Sequence, residues 1–318
     1  MNVIVPAEIM GNVSVLTFFT LSGLTYTVQH RIILFALTLL CYLIIWIVNV
    51  VVILTIIVDE KLHEAMYIFL CNLCINGLYG TAAFYLKFLN DLLSPFHFVS
   101  YAGCLLQSFV IHSSSASELS ILAIMALDRY VAICRPLEYH SVMTRRRISL
   151  LVAFSWLLPL YCMFSNTIYV NHTKLCGSHI PKLYCSNPLI DKLACSTSIA
   201  NTAVVYFNIG IYIVHFFFFL WTYTYLIKTC LTSKHGRKKF MNTCVPHLVS
   251  LISYCFAVLF DVMYTRYGSN MLSPSLKNFM AIEFLILPPV IHPVVYGLKL
   301  TKIRNRIRGF IQGQKESV

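Results

Sequence analysis

The chain has 318 residues, of which 58% are hydrophobic and only 11% are charged. Because soluble domains carry about a quarter charged residues, this composition excludes a water-soluble globular protein, a disordered chain and a collagen-like chain. The formal net charge of +12 would indicate nucleic-acid binding in a soluble protein. Here the charges fall between long apolar runs, which indicates membrane topology and no nucleic-acid partner.

Seven stretches are long and apolar enough to cross a bilayer, which takes about 20 residues. The first, 32–58, contains no Asp, Glu, Lys, Arg or His. The others are 66–88, 102–133, 148–170, 199–227, 244–264 and 276–298. The predicted fold is therefore an all-α membrane protein, a single seven-helix bundle over residues 1–318. Its parts are a tail (1–31), the transmembrane bundle (32–298), and a short amphipathic helix with a second tail (299–318).

The basic residues predict the orientation of this bundle. Seventeen of the 24 lie on the side that holds the carboxyl terminus and the loops after helices one, three and five. The positive-inside rule places that side in the cytoplasm and the amino terminus outside. A glycosylation sequon at Asn12 lies on the predicted outer side, as does a second at Asn171, whose use the sequence leaves open.

The cysteines divide between the two sides. Four lie on the predicted outer side, Cys104 at the start of helix three and Cys176, Cys185 and Cys195 in the loop after helix four. In an oxidising compartment these four predict disulfides, with three pairings possible. A zinc site is the alternative, but the loop has no CxxC knuckle. The other eight are expected to be free thiols that pack as apolar groups.

The most specific stretch is 125–137, MALDRYVAICRPL, at the predicted cytoplasmic end of helix three. An acidic–basic pair such as Asp128–Arg129 at a membrane boundary can act as a lock that opens when the bundle rearranges. In an isolated pair of this kind, the two side chains more often simply extend their charged groups to the membrane–water interface. The surrounding residues decide between these interpretations.

Four stretches in chain order resemble the signatures of vertebrate odorant receptors, in the rhodopsin-like family of G-protein-coupled receptors. They are 62–67 (LHEAMY), 125–137, 239–248 (KFMNTCVPHL) and 288–296 (PPVIHPVVY). Ala65 replaces the proline of the family's LHxPMY, and His292 replaces the asparagine of PPxxNPxxY. Glu64 and TCVPHL look most like the fish-type branch.

This resemblance implies a function. The chain would be a plasma-membrane receptor that binds a small odorant in the outer half of the bundle. It would activate an olfactory-type stimulatory heterotrimeric G protein as helix six moves outward. It would not be an enzyme, and it needs no cofactor. The implied switch and coupling residues are Asp128, Arg129, Tyr130, Leu137, Tyr223, Pro293 and Tyr296. The implied disulfides are Cys104–Cys185 and Cys176–Cys195.

Two departures from the family concern an internal polar cluster. The family usually has Asp at the position of Gly77 in helix two and Asn at that of His292. Glu118 in helix three stays acidic, and with Asn49, Asn76 and His292 it is expected to form this cluster. With one carboxylate instead of two, we expect a weak sodium site or none, with Glu118 protonated or hydrogen-bonded to His292 or Asn76. A polar cluster without any ion is the favoured alternative.

By resemblance, the odorant pocket has the helix-three face Ile111, His112, Ser115 and Ala116. Further candidates for specificity are Tyr206, Tyr254, Asp261 and Glu283, each of which also suits a helix-packing role. An amine receptor would have Asp at Ile111, and an opsin would have the retinal-binding Lys at Ile286, so both are excluded.

The remaining alternatives concern other functions. A transporter predicts internal repeats and broken helices, and the sequence has no convincing repeat. A zinc hydrolase fails because Tyr67 stands where HExxH needs its second histidine. The basic cytoplasmic loops and the amphipathic 300–310 stretch predict contact with membrane lipids as well as with a G protein.

Overall fold

The structure is a computed structural model that describes residues 18–21, 28–94, 96–196, 199–231, 245, 248–258, 285–296 and 301–311. Within these residues five helices are long and apolar enough to cross a membrane. They are α1 (Val28–Val58), α2 (Ala65–Leu93), α3 (Tyr101–Cys134), α5 (Arg145–Asn171) and α7 (Ile199–Leu231). These helices match the first five predicted spans to within a few residues.

Five shorter helices complete this part of the chain. In chain order they are α4 (Tyr139–Val142), α6 (Asn187–Lys192), α8 (Leu248–Val258), α9 (Leu285–Tyr296) and α10 (Thr301–Ile311). The helices α8 and α9 lie inside the sixth and seventh predicted spans. The helix α10 corresponds to the amphipathic stretch expected after the bundle.

Local sequence explains where the long helices begin and end. Ser100 caps α3, because its Oγ accepts a hydrogen bond from the Gly103 N–H at 3.1 Å. Pro136 follows two residues after the end of α3 and cannot donate a backbone hydrogen bond, so the helix stops. Thr144 caps α5 in the same way as Ser100, accepting from the Arg147 N–H at 3.4 Å.

The helix α3 is the centre of the bundle, since it packs against α2, α5 and α7. The outer faces of the other helices are apolar and exposed, as for Leu37 on α1, Leu157 on α5 and Val214 on α7, which are 59%, 65% and 68% exposed. Exposed apolar faces of this extent are disfavoured in water and are the surfaces that lipid covers.

A small sheet at one end of the bundle was not predicted. Its strands are β1 (Phe18–Leu21), β2 (Phe98–Ser100) and β3 (His179–Ile180), in the order β2-β1-β3. The strand β1 comes from the stretch 1–31, which was predicted to be a tail. Phe19 is fully buried in a cluster with Cys104, Cys185 and Ile180, so this part of the tail is attached to the bundle.

Candidate functional site

The loop after α5 forms a lid, defined here as residues 172–196, over one end of the bundle. Cys104 of α3 is joined to Cys185, and Cys176 is joined to Cys195. These are the two pairings that the resemblance implied. Because one bond joins the lid to α3 and the other closes a loop inside the lid, the lid has a fixed shape and a fixed attachment.

Hydrogen bonds add to this attachment. The Gln107 Oε1 accepts from the Cys185 N–H at 3.0 Å, and the Gln107 Nε2 donates to the Ala83 carbonyl at 3.0 Å. Ser108 Oγ donates to Asn187 Oδ1 at 2.6 Å. One turn of α3 therefore binds both the lid and α2.

The predicted pocket face of α3 makes contacts beneath this lid. Ile111 is 2% exposed and packs in a cluster with Tyr184 of the lid and Leu285 of α9. His112 Nδ1 lies 2.8 Å from the carbonyl of Ser108, which fixes the ring orientation. Ser115 is linked to Tyr254 of α8, whose hydroxyl donates to the Ser115 carbonyl at 2.9 Å. The structure therefore brings Ser115 and Tyr254 together.

Two predicted pocket residues lie elsewhere, and two are outside the described part. Ala116 faces a groove between α5 and α7. Tyr206 is 69% exposed, unlike a residue that lines an internal pocket. The physical reason is helical geometry: Tyr206 is about 200° around α7 from the buried Asn208. Asp261 and Glu283 lie outside the described residues, as does Asn12.

The internal polar cluster separates into three contacts. His292 Nε2 lies 2.7 Å from Glu118 Oε1, and both residues are buried. This distance is that of a hydrogen bond between the imidazole and the carboxyl group. Asn76 is bonded to the Ser114 carbonyl at 3.0 Å rather than to Glu118. Asn49 donates to the carbonyls of Ile45 and Pro289 at 2.8 Å and 2.9 Å.

Gly77 lies beside Asn49 of the internal polar cluster and has no side chain where the family usually has Asp. A Cβ placed there would lie 3.4 Å from the Pro289 Cβ and 3.5 Å from the Asn49 Oδ1. The carboxylate that the family usually has at this position would therefore lie between α1 and α9. Without it, Glu118 is the only carboxylate in this cluster, and His292 occupies one of its oxygens.

The opposite end of the bundle, called here the motif end, contains the Asp128–Arg129 pair. Asp128 is fully buried, and Arg129 Nε donates to Asp128 Oδ2 at 2.9 Å. Tyr139 of α4 donates its hydroxyl to the other oxygen, Oδ1, at 2.8 Å. Burial, together with the nearby Asp128 carboxylate, raises the pKa of Tyr139. Its hydroxyl therefore remains protonated and can donate at neutral pH.

Four other predicted switch residues are buried in the bundle or packed against the rings of a neighbouring helix. Tyr223 of α7 and Tyr296 of α9 lie in the same buried cluster as Met125 and Ala126 of α3. Pro293 is buried one turn before the end of α9. Tyr130 packs on the rings of Trp221 and Tyr225 of α7, with ring centres 5.5 Å and 6.2 Å apart.

Leu137 differs from all of these, since its side chain is completely exposed. It is the second residue of the 3-10 turn Pro136–Glu138, in the connection that leads from α3 into α4. Its exposure leaves the leucine side chain accessible from outside the bundle.

The helix α10 is attached to the motif end by ion pairs. Lys302 Nζ lies 2.8 Å from Glu64 Oε1, and Arg306 Nε lies 3.3 Å from Asp59 Oδ2. The hydrogen bond to Glu64 raises the pKa of Lys302, so Lys302 is charged throughout the neutral range. Ile303 on the other face of α10 is fully buried, as the amphipathic pattern predicted.

Two features of the site were not predicted from the sequence. Tyr139 was not selected, although its position two residues after the 125–137 stretch was a signal that it belongs to the switch. Glu64 was noted only as a feature of the fish-type branch of the family. Its partner Lys302 is 238 residues away in the chain. Such a distant contact has no local pattern. Among the described residues, no group of three or more His, Cys, Asp or Glu is placed to hold a metal ion.

Comparison with known proteins identifies the relatives of this chain. The family model described as "Olfactory receptor" matches residues 38–313. The chain is 32% identical to human Olfactory receptor 10G4, with 94% of this chain and 96% of that protein covered. It is 30% identical to human Olfactory receptor 5F1 (96% and 98% covered) and 28% identical to mouse Olfactory receptor 4M1 (95% and 96% covered).

Proposed function

The chain belongs to the olfactory receptor family of rhodopsin-like G-protein-coupled receptors, and from this membership we propose how it works. It is a seven-helix membrane receptor for odorants and not an enzyme. The proposal is that a small odorant binds beneath the lid, that the helix containing α8 moves outward, and that an olfactory-type stimulatory G protein binds at the motif end. The fish-type branch stays a prediction.

The proposal includes an orientation. The lid end faces the outside of the plasma membrane, and the motif end faces the cytoplasm. Two observations support it: disulfides form in oxidising compartments, and most basic residues lie on the side of the motif end. Glycosylation of Asn12 would follow from the same orientation. A mobility shift on glycosidase treatment that is absent in Asn12→Gln tests it.

The observation that carries the proposal is the closed arrangement at the motif end. Asp128 has both oxygens occupied, one by Arg129 and one by Tyr139. A buried carboxylate with two donors keeps Arg129 in place. Odorant binding would favour a state in which Arg129 leaves Asp128, with Tyr223 and Tyr296 rearranging around it, so that the partner reaches both Arg129 and Leu137.

The odorant site would be defined by the groups under the lid. Ile111 supplies an apolar wall, and His112, Ser115 and Tyr254 supply the polar groups within the described residues. We propose that this combination suits a small odorant with at least one polar group. Asp261 and Glu283 remain candidates. An unchanged ligand profile in His112→Ala would exclude His112 from the site.

The internal cluster would make this receptor insensitive to sodium. Glu118 already has a hydrogen-bond partner in His292, and no second carboxylate stands at Gly77. An ion would have to displace the imidazole and would gain only one charged ligand. We therefore propose that Glu118 and His292 form a permanent contact between α3 and α9.

The central experiment measures nucleotide exchange on a co-expressed olfactory-type stimulatory G protein against an odorant panel. The expected result is exchange that depends on one or a few odorants and is lost in Arg129→Ala. Lys192→Ala, in the lid, serves as a surface-charge control. Solute flux without nucleotide exchange would instead favour a transporter, the main alternative from another functional class.

A further inference from the structure

The strand β1 is held on both sides, by β3 of the lid and by β2 of the connection between α2 and α3. On the lid side, the Thr20 N–H donates to the Ser178 carbonyl at 2.9 Å. On the other side, the next amide, the Leu21 N–H, donates to the His97 carbonyl at 3.0 Å. Adjacent residues of β1 therefore bind different parts of the molecule, and β1 joins the lid to the α2–α3 connection.

The residue that binds Leu21 has a titratable side chain in an unfavourable place for a charge. His97 is partly buried, and both of its ring nitrogens are shielded from solvent. Within the part of the chain that the structure describes, neither nitrogen has a hydrogen-bond partner. A neutral imidazole has one N–H donor, whereas a protonated one has two donors and a charge, so burial costs it more. The observed position of the ring therefore favours the neutral form.

The charged groups around this ring come from α1 and α2. Arg31 of α1 donates from Nη1 to the Ser94 carbonyl at the end of α2, at 3.2 Å. Asp91 of α2 is buried and forms an ion pair with Lys87 one turn earlier. Among the described residues, these three are the charged groups that act on His97, and β1 (FFTL) adds none. Two of them are cations, and Lys87 already binds the one carboxylate. The surroundings therefore favour neither a proton nor a metal ion on the ring.

These surroundings make the contact between His97 and β1 depend on pH. Burial lowers the pKa of His97 from its ordinary value; of the charged neighbours, Asp91 opposes the shift, and Arg31 and Lys87 add to it. A ring that is released into water has an ordinary pKa of about 6.5. Above that pH the ring is neutral in both states, and the contact is unaffected. Below it, the released ring binds a proton more tightly than the held ring, so the contact loses stability as the pH falls.

The histidine on the other side of β1 has a different contact. His179 of β3 has its Nδ1 3.0 Å from the Thr20 Oγ1, and that hydroxyl is also 3.3 Å from the Ser178 carbonyl, to which it donates. A hydroxyl can donate and accept at the same time. Thr20 can therefore accept a hydrogen bond from Nδ1–H whether His179 is neutral or protonated. The contact between β1 and the lid is compatible with acid, unlike the contact at His97.

We propose that His97 is an acid-sensitive latch: protonation of its ring releases β1 from the α2–α3 connection, while β1 stays attached to the lid. Release removes one attachment of the lid and leaves the Cys104–Cys185 disulfide in place. The inference rests on the proposed orientation, in which the lid end meets the external medium. External acid then loosens the cover of the proposed odorant site without breaking a covalent bond.

The test measures hydrogen–deuterium exchange of single backbone amides in the full-length receptor in lipid nanodiscs, at about pH 7.5 and about pH 5.5. It needs neither an odorant nor a G protein, so its outcome is separate from that of the proposed function. At the lower pH, protection of the Leu21 amide should fall relative to that of the Thr20 amide by up to about tenfold, because a released imidazole is about nine-tenths protonated there. Adjacent amides of one strand share the chemical effect of pH on exchange, so their ratio isolates the latch.

Two matched variants identify the histidine that acts. In His97→Gln, which cannot bind the proton, the ratio of Leu21 to Thr20 protection should be the same at both pH values. His179→Gln, on the other side of β1, should keep the response of the unchanged receptor. A pH effect that persists in His97→Gln, that disappears in His179→Gln, or that reaches both amides equally would overturn the proposal. If His97→Gln fails to fold, the unchanged receptor and His179→Gln still decide, because a ratio that does not change with pH would also overturn it.

Discussion

The two ends of the bundle are held by different kinds of bond. At the lid end, the disulfides Cys104–Cys185 and Cys176–Cys195 fix the loop covalently. At the motif end, Asp128, Arg129 and Tyr139 are joined only by hydrogen bonds and one ion pair. A hydrogen bond contributes about 1 kcal/mol net, which is in the range that differential ligand binding can overcome. The lid end is therefore built to persist, and the motif end is built to change.

The largest effect is expected from breaking the lid end. Cys104→Ser opens the bond that joins α3 to the lid and should lower the free energy of unfolding by about 2–5 kcal/mol. Surface expression would then be lost, as measured by flow cytometry. Cys176→Ser is the matched control, because its bond closes 19 residues rather than 81. In the entropic model the difference is about 1 kcal/mol. Equal loss in the two variants would contradict this order.

The second-largest effect is expected from a change in the packing of α2 against α3. At Gly80 of α2, a Cβ would lie 2.7 Å from the Ser114 Cβ on α3 and even closer to the Ser114 Oγ. Gly80→Ala should therefore force α2 and α3 apart and cost about 1–3 kcal/mol. Thermal unfolding in detergent measures the change. Gly210→Ala on α7 is the control, because nothing lies within 4 Å of its Cβ position; destabilisation of both variants alike would point to a general effect on helices.

A smaller effect is expected at the motif end. Tyr139→Phe removes only the hydroxyl that binds Asp128, so the closed state loses about 1 kcal/mol. Nucleotide exchange without odorant should rise about fivefold, while expression stays unchanged. Tyr161→Phe, which alters an exposed tyrosine on α5, is the control. Basal exchange that stays at the original level would show that Tyr139 does not hold the switch closed.

The sequence predicts some parts of the molecule better than others. The helices and the two outer cysteine pairs follow from apolar runs and from one recognisable family, because lipid imposes a strong and local constraint on sequence. The strand at Phe18–Leu21 was not foreseen, since its stability comes from pairing with residues about 80 and 160 positions away. The outward position of Tyr206 was missed for a related reason. An apolar run does not specify the rotation of α7 by itself.

The next prediction concerns sodium and the Glu118–His292 contact between α3 and α9. In the unchanged receptor, replacing sodium with a large organic cation should leave the agonist response unaltered, because His292 already bonds Glu118. The double variant Gly77→Asp with His292→Asn restores a second carboxylate and removes the imidazole. Its response should then shift about fivefold with sodium, at the lower end of ordinary coupling between sites. Gly77→Ala with His292→Asn controls for the added Cβ, and a sodium shift in that control would show that the second carboxylate is not needed.

The smallest effect is expected for the ion pair that attaches α10. Glu64 and Lys302 are each 58% exposed, and exposed pairs contribute about 0.2–1 kcal/mol because water and salt screen them. A double-mutant cycle with Glu64→Gln and Lys302→Gln should give a coupling energy of at most about 0.5 kcal/mol that disappears at high salt. A coupling energy above about 1 kcal/mol would mean that the motif end contains a strong fixed contact of its own. The contrast between a persistent lid end and a reversible motif end would then have to be limited to Asp128 and its two partners.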